Sequence, residues 1–354
     1  MMSNFEQVTL AMGQSPSFDG QPAKFVHLTN AQGMSVVLMD IGATWLSCTL
    51  PVNGSEREVL LRSPNMEEHL KQGAYFGAIV GRFANRIAKG QFEIDGERYQ
   101  LAINNGENAL HGGWQGFDKR RWQIVEQSAQ QVRFTLHSAD GDQGYPGNLD
   151  VQVTYTLSDD NQLLIAYQAQ TDKASPLNLT NHAYFNLAGE GAVANALTHK
   201  LQIHASHYLP TDNGLIPTGE LKSVMGTSFD FNHAKLIGEE LLSDQDQQIA
   251  QGYDHCLVFS DPVTDGIQAA AVLTAPAGDV QMTVKTTKPA MQFYSGNFLA
   301  GTPGRSKTYA AYDGVALETQ YFPDGPNQRL WNGQAAILKA GERYQHQTCY
   351  QFVF

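Results

Sequence analysis

The chain has 354 residues, 42% of them hydrophobic, only 16% charged, and 33 of them glycine, a composition of strands and turns rather than of long surface helices. Its formal net charge of −12 removes the cationic field that drives nucleic-acid or anionic-membrane binding, so a neutral small molecule is the better partner. Cys48, Cys256 and Cys349 are too few and wrongly spaced for a disulfide framework or a CxxC zinc site, which fits a reducing cytoplasm.

Residues Met1 to Gln7 lack a basic stretch leading into an apolar run, and no later segment reaches the length of a membrane span. The chain therefore reads as cytoplasmic. Strands are expected at Ser35 to Met39 and Glu58 to Leu61, and a short helix at Met66 to Lys71. Phe92-Glu93-Ile94 and Arg98 to Leu101 flank Asp95-Gly96, a pair that tolerates the positive φ angles of a two-residue hairpin. After a strand at Gln131 to Leu136, the segment Leu149 to Leu157 alternates apolar and polar residues at every position, the period of a strand with one buried face. Asp159-Asp160-Asn161 then turns the chain into a returning strand at Leu163 to Tyr167.

Further strands are expected at Lys200 to Ile203, Gln281 to Lys285 and Gln347 to Phe354, a helix around Glu239 to Ala250, and long loops at Pro210 to Gly226 and Thr302 to Asp313. Nothing alternates strand with long helix, so the expected fold class is all-β, a large antiparallel β-sandwich. With no linker, charge run or repeat, residues 1–354 read as a single domain.

Polar side chains without an obvious structural task are spread over this pattern. Glu318, in Val315-Ala316-Leu317-Glu318-Thr319, is the one charge on a strand, facing either solvent or a cleft; desolvated in a cleft it becomes a better proton acceptor. His182, in Asn181-His182-Ala183-Tyr184, is either a hydrogen-bonded core histidine or, kept protonated by a nearby carboxylate, a general acid. His111 precedes Gly112-Gly113, where small residues allow close approach to the backbone. Asp254, after Gly252-Tyr253, caps a turn or grips two neighbouring hydroxyls. Asn85, Arg86 and Gln292 supply hydrogen-bonding groups for further hydroxyls, although Arg86 equally suits an ion pair and Gln292 ordinary sheet packing. His204 and His207 form an HxxH pair with no third ligand in view, and no Gly-rich phosphate loop is present, so neither a metal nor another cofactor is expected.

Taken in order, Gly81-Arg82-Phe83-Ala84-Asn85-Arg86-Ile87, Leu110-His111-Gly112-Gly113, Gly144-Tyr145-Pro146-Gly147, Asn181 to Leu187, Tyr253-Asp254-His255, Gln292 to Asn297 and Glu318-Thr319-Gln320 resemble the motifs of the galactose mutarotase, or aldose 1-epimerase, family from about Phe25 to the C-terminus. The resemblance implies a galactose mutarotase-like supersandwich binding a hexose in an open cleft, with Glu318 as general base and His182 as general acid. It places Asn85, Arg86, His111, Asp254 and Gln292 on sugar-binding positions and Tyr184 on the cleft wall. Cys256 departs from the pattern, standing where the family often has asparagine. A monomer or weak homodimer is expected. Three other readings compete: a hexose 6-phosphate epimerase with a clamp such as Arg305 and Lys307, a glycoside hydrolase using Asp254 and Glu318, and a non-catalytic sugar-binding protein.

Overall fold

The computed structural model describes residues 2–260, 263–328, 331 and 335–354. Two large sheets dominate it, and every strand pair among the described residues is antiparallel. The nine-stranded sheet runs Gln123–Gln127, Gln131–Ser138, Leu149–Leu157, Gln162–Thr171, Tyr344–Val353, Gln281–Thr286, Ala271–Thr274, Lys200–Ile203 and Lys235–Leu236. The six-stranded sheet runs Tyr184–Phe185, Val315–Gln320, Ala290–Tyr294, Asp254–Phe259, Ala205–Tyr208 and Lys222–Ser223. A four-stranded sheet from Phe25 to Glu58 adds a flank.

The two large sheets meet through the residues that alternation assigns to one face of each strand. Val151, Val153, Tyr155 and Leu157 from the first sheet share one buried cluster with Leu257, Met291, Phe293, Val315 and Leu317 from the second. Because the side-chain period is two, the intervening residues of the second sheet, Asp254, Cys256, Gln292, Tyr294, Ala316 and Glu318, all project from the opposite face. That face carries the cleft.

The period-two segment forms the expected strand and pairs with its return, Leu157 opposite Leu163 and Leu149 opposite Thr171. Asp95 (φ 52°) and Gly96 (φ 83°) turn the tight hairpin between Gln91–Ile94 and Glu97–Gln100. Three local readings need correction. The strand expected at Glu58 to Leu61 instead spans Ser55–Glu58, because the buried Glu58 carboxylate turns inward to accept hydrogen bonds from Ser47, Cys48 N–H and Leu60 N–H, and Leu60 then bridges to Phe185. The helix expected around Glu239 to Ala250 is confined to Gln245–Ala250, with the Asp244 side chain accepting from Gln247 N–H to start it. An unexpected helix, Asn4–Gly13, begins with a capping box of Ser3 and Glu6. No helix among the described residues is long and apolar enough to cross a membrane.

Candidate active site

Register alone gathers half of the site. Gln292 lies directly opposite Glu318 on one side and Cys256 on the other, while Tyr294 pairs with Ala316 and Asp254 and Tyr184 pairs with Ala316. Glu318 is only 2% exposed, so it faces a cleft and not bulk solvent. The cleft holds about 830 Å³ and is lined by Tyr75, Asn85, Arg86, His111, His182, Tyr184, Asp254, Tyr294 and Glu318, with loop residues 105–108, 213–215, 298, 299 and 302 at its rim.

The remaining groups arrive on loops pinned by backbone bonds. His182 sits between Thr180–Asn181 and Tyr184–Phe185, its N–H donating to Ala78 O and its carbonyl accepting from Gly77 N–H, at 2.9 Å each. That places His182 Nε2 3.5 Å from Glu318 Oε1. His111 has φ 49° and is followed by Gly112 at φ 89°, where any Cβ would overlap the Gly81 carbonyl. Asn85 N–H donates to His111 Nδ1 at 3.1 Å; with Nδ1 accepting, the neutral ring carries its proton on Nε2. Tyr75, at φ 58°, lays its ring 4.6 Å from that of His111 and 5.8 Å from that of His182.

Asp254 is the hub of the polar wall. Its Oδ1 accepts from Gln292 Nε2 at 2.7 Å and its Oδ2 lies 4.0 Å from Arg86 Nη1, while Arg86 Nε donates to Asn105 Oδ1 at 3.1 Å. Gln292 is buried behind Asp254 and does not line the cleft; its contact is with the carboxylate. Arg82, in the same motif as Arg86, is instead a buried anchor whose guanidinium donates to Ser138, Ala139 and Pro146. The Gly144-Tyr145-Pro146-Gly147 motif serves that anchor, with Tyr145 packed against Phe83, Ile87 and Phe92.

Burial sets the electrostatics. Loss of water, reinforced by the Asp254 charge, holds the Glu318 carboxyl well above its ordinary range, only partly offset by Arg86. Burial pushes His182 down to about 4, and pushes His111 well down with help from the charges that His182 and Arg86 would carry. Burial acts against the expectation that a neighbouring carboxylate keeps His182 protonated near neutral pH, since its largest effect on His182 is to lower the pKa by desolvation. Burial thus favours the uncharged form of each member of the pair. Glu318 Oε2 and His182 Nδ1 have no hydrogen-bond partner within the protein, so both remain unsatisfied in the cleft.

The sequence-level candidates Asn85, Arg86, His111, His182, Tyr184, Asp254 and Glu318 all converge on this cleft. Tyr75, Asn105 and Phe298 were not anticipated; only the aromatic pair Tyr75-Phe76 before Gly77 hints at the first. Cys256 is buried in an apolar cluster with Leu209, Ala290, Phe322 and Trp331, where burial and the Glu318 charge hold its thiol protonated. Arg305 Nη1 lies 3.1 Å from Glu58 Oε2 and Lys307 Nζ 3.1 Å from Asp313 Oδ2, so both cations are engaged away from the cleft. A second groove, of about 900 Å³ on the outer face of the nine-stranded sheet, offers glutamines and a His137–Asp150 pair that is largely exposed. Its charges remain hydrated, and it has no desolvated acid–base couple.

A buried carboxylate against a histidine under an open polar cleft is a set of groups able to move protons on a polyhydroxylated ligand. The aldose 1-epimerase family model matches residues 24–351, and the chain belongs to that family. It is 50% identical over 337 residues to the aldose 1-epimerase of Escherichia coli strain K12, covering 95% of this chain and 96% of the relative. It is 41% identical over 350 residues to the galactose mutarotase of Homo sapiens, covering 96% of each. Among solved structures, galactose 1-epimerase from Lactobacillus acidophilus NCFM matches with a TM-score of 0.83 at 30% identity, covering 95% of this chain and 96% of that one.

Proposed function

We propose that this chain is an isomerase, an aldose 1-epimerase that interconverts the α and β anomers of free hexoses such as D-galactose and D-glucose. The observation that carries the reading is the buried contact between His182 Nε2 and Glu318 Oε1, 3.5 Å apart on the floor of an open cleft. In the reading, bound sugar hydroxyls hydrate the pair and draw it into its charged form, with Glu318 ionised and His182 protonated. Glu318 takes the proton from the C1 hydroxyl as the C1 to ring-oxygen bond breaks, and His182 gives its proton to the ring oxygen. The product is the open-chain aldehyde over an uncharged couple, the form that burial favours. Rotation about the C1 to C2 bond exposes the other carbonyl face, and closure returns each proton to its origin. No atom or electron is left over.

His111, with its Nε2 proton, is read as a donor near the ring oxygen, and Asp254, oriented by Gln292 and Arg86, as the acceptor for two sugar hydroxyls. Asn85 and Arg86 supply further hydroxyl contacts and Tyr184 shapes the wall. A neutral substrate is supported by the lining charges: Arg86 is opposed by Glu107, Asp254 and Glu318, and Arg305 and Lys307 are already paired. A hydrolase using Asp254 as its acid is disfavoured because the neighbours of that carboxylate are donors, which hold it as an acceptor.

The reading also takes residues 1–354 as one domain, supported by a core that draws on both large sheets. It places the enzyme in the cytoplasm as a monomer or weak homodimer, with Cys48, Cys256 and Cys349 all buried and free. Polarimetry of freshly dissolved α-D-galactose, repeated with α-D-glucose, tests it. Faster decay to the same equilibrium rotation is expected, and no acceleration with either sugar would reject it.

A further inference from the structure

Two tyrosine rings lie nearly parallel to the imidazole of His182. The Tyr75 ring stacks on it with 5.8 Å between centroids and 25° between planes, and the Tyr184 ring lies 5.0 Å away at 32°. We propose that Tyr75 and Tyr184 are positioning residues for the acid, an aromatic pair whose π-faces favour the protonated imidazole that the reaction uses. The catalytic half rests on the role given to His182 above; the effect of the rings on its charge rests on geometry.

The need for such a pair comes from burial. His182 is buried, and loss of water holds it down to about 4. The groups that face it are Glu318 Oε1 at 3.5 Å, the His111 ring at 5.3 Å in edge-on contact, and the two tyrosines. Arg86 and Asp254 line the same cleft but are turned toward each other at 4.0 Å. His111 is itself held well down by burial, and Glu318 gives up its charge as it takes the proton of the substrate. An aromatic face carries a negative quadrupole that attracts a cation within about 6 Å of the centroid, and the attraction grows where water is excluded. Both tyrosine rings fall within that distance, and their orientation offers the imidazolium a face and not a positive edge.

Two further observations support the pair. Tyr75 has φ 58°, a left-handed conformation that bulky side chains rarely adopt, and what its ring meets there is His111 at 4.6 Å and His182. Tyr184 is braced by the edge-on rings of Phe76 at 5.3 Å and Tyr294 at 5.9 Å. Burial also pushes both tyrosine hydroxyls above their ordinary range, so the rings stay neutral and act through their faces.

The test places phenylalanine and then its 4-fluoro, 3,5-difluoro and 3,4,5-trifluoro forms at position 75 of the whole chain, which removes the negative face stepwise at nearly constant volume. The pH titration of the His182 imidazole is read by NMR with and without saturating D-galactose, its signal assigned with His182→Asn, and polarimetry gives the alkaline limb of the kcat profile. With Tyr75→Phe close to the wild type, the basicity of His182 should fall steadily along the fluorinated series, by roughly three- to tenfold in all, and the limb should move to lower pH by the same factor with little change in KM. The same series at position 184 should act in the same direction. A His182 titration indifferent to fluorination at both positions, or a loss of kcat without a shift in that titration, would overturn the proposal and leave the rings as packing alone. If the titration follows the series and the rate does not, the aromatic pair stands, and the assignment of His182 as the acid is what fails.

Discussion

Replacing Glu318 by glutamine keeps the volume and the position opposite Gln292 but removes the carboxylate that the proposed reaction uses to take a proton from the substrate. A positioned base contributes about 10²–10⁴ in rate, or roughly 3–5 kcal/mol of barrier, so kcat for α-D-galactose should fall by that factor. KM should move far less, because Asp254, Arg86 and Asn85 keep their bonds to one another and to the loops. Stability should change in the opposite direction. Burial and Asp254 hold the Glu318 carboxyl well above its usual range, so between the unfolded and folded titration points the unfolded chain gains by ionising, a penalty that glutamine does not carry. Polarimetry gives kcat and KM, and a thermal melt at neutral pH gives Tm. Loss of less than about tenfold in kcat, or a loss carried mainly by KM, would refute the assignment of the base; a fall in Tm would refute the claim that the carboxyl is strained by desolvation.

Asp254→Asn should raise KM for both sugars, and by removing the charge that lifts Glu318 it should move the alkaline limb of the kcat/KM profile to lower pH; an unmoved limb would count against the coupling. His69, His182 and His199 are held to about 4 by burial but take a proton near 6.5 when unfolded. Below about pH 6.5 the unfolded state therefore binds more protons, and Tm should fall steadily toward pH 4. Gly112→Ala should abolish activity by displacing His111, since its Cβ would overlap the Gly81 carbonyl at a φ of 89°, and a wild-type rate would show that the turn relaxes freely. Arg305→Ala should cost about 1–3 kcal/mol by uncovering the buried Glu58 carboxylate, read as a lower melting temperature, with little effect on galactose turnover.

The chain of local patterns carried the all-β class and most strand positions, because alternation over Leu149 to Leu157 and the Asp95-Gly96 turn are properties of a few consecutive residues. It carried less where a local preference met a long-range demand. Glu58 ends its strand early because its carboxylate is drawn inside to Ser47, Cys48 and Leu60, and the Glu239 segment yields to turns before Asp244 caps the helix. The Asn4–Gly13 helix has its local signal in the Ser3 and Glu6 capping box.

For the site, the residues were visible one at a time and their company was not. Nothing in Val315 to Gln320 says which face Glu318 takes; pairing with Gln292 across from Cys256 decides it, and both faces of that strand are buried. Arg82 and Arg86 share one short motif, yet one is a core anchor and the other lines the cleft, because only the tertiary path brings Ser138 and Pro146 to the first and Asp254 to the second. Desolvation is likewise a property of the folded whole: it moves Glu318 up and His182 down, contrary to the effect expected from their pairing alone. The sequence by itself determined the strands, the turns and the kinds of chemical group available. Which groups meet, and how far water is kept from them, was decided by contacts between residues far apart along the chain, such as Arg86 with Asp254 and His182 with Glu318.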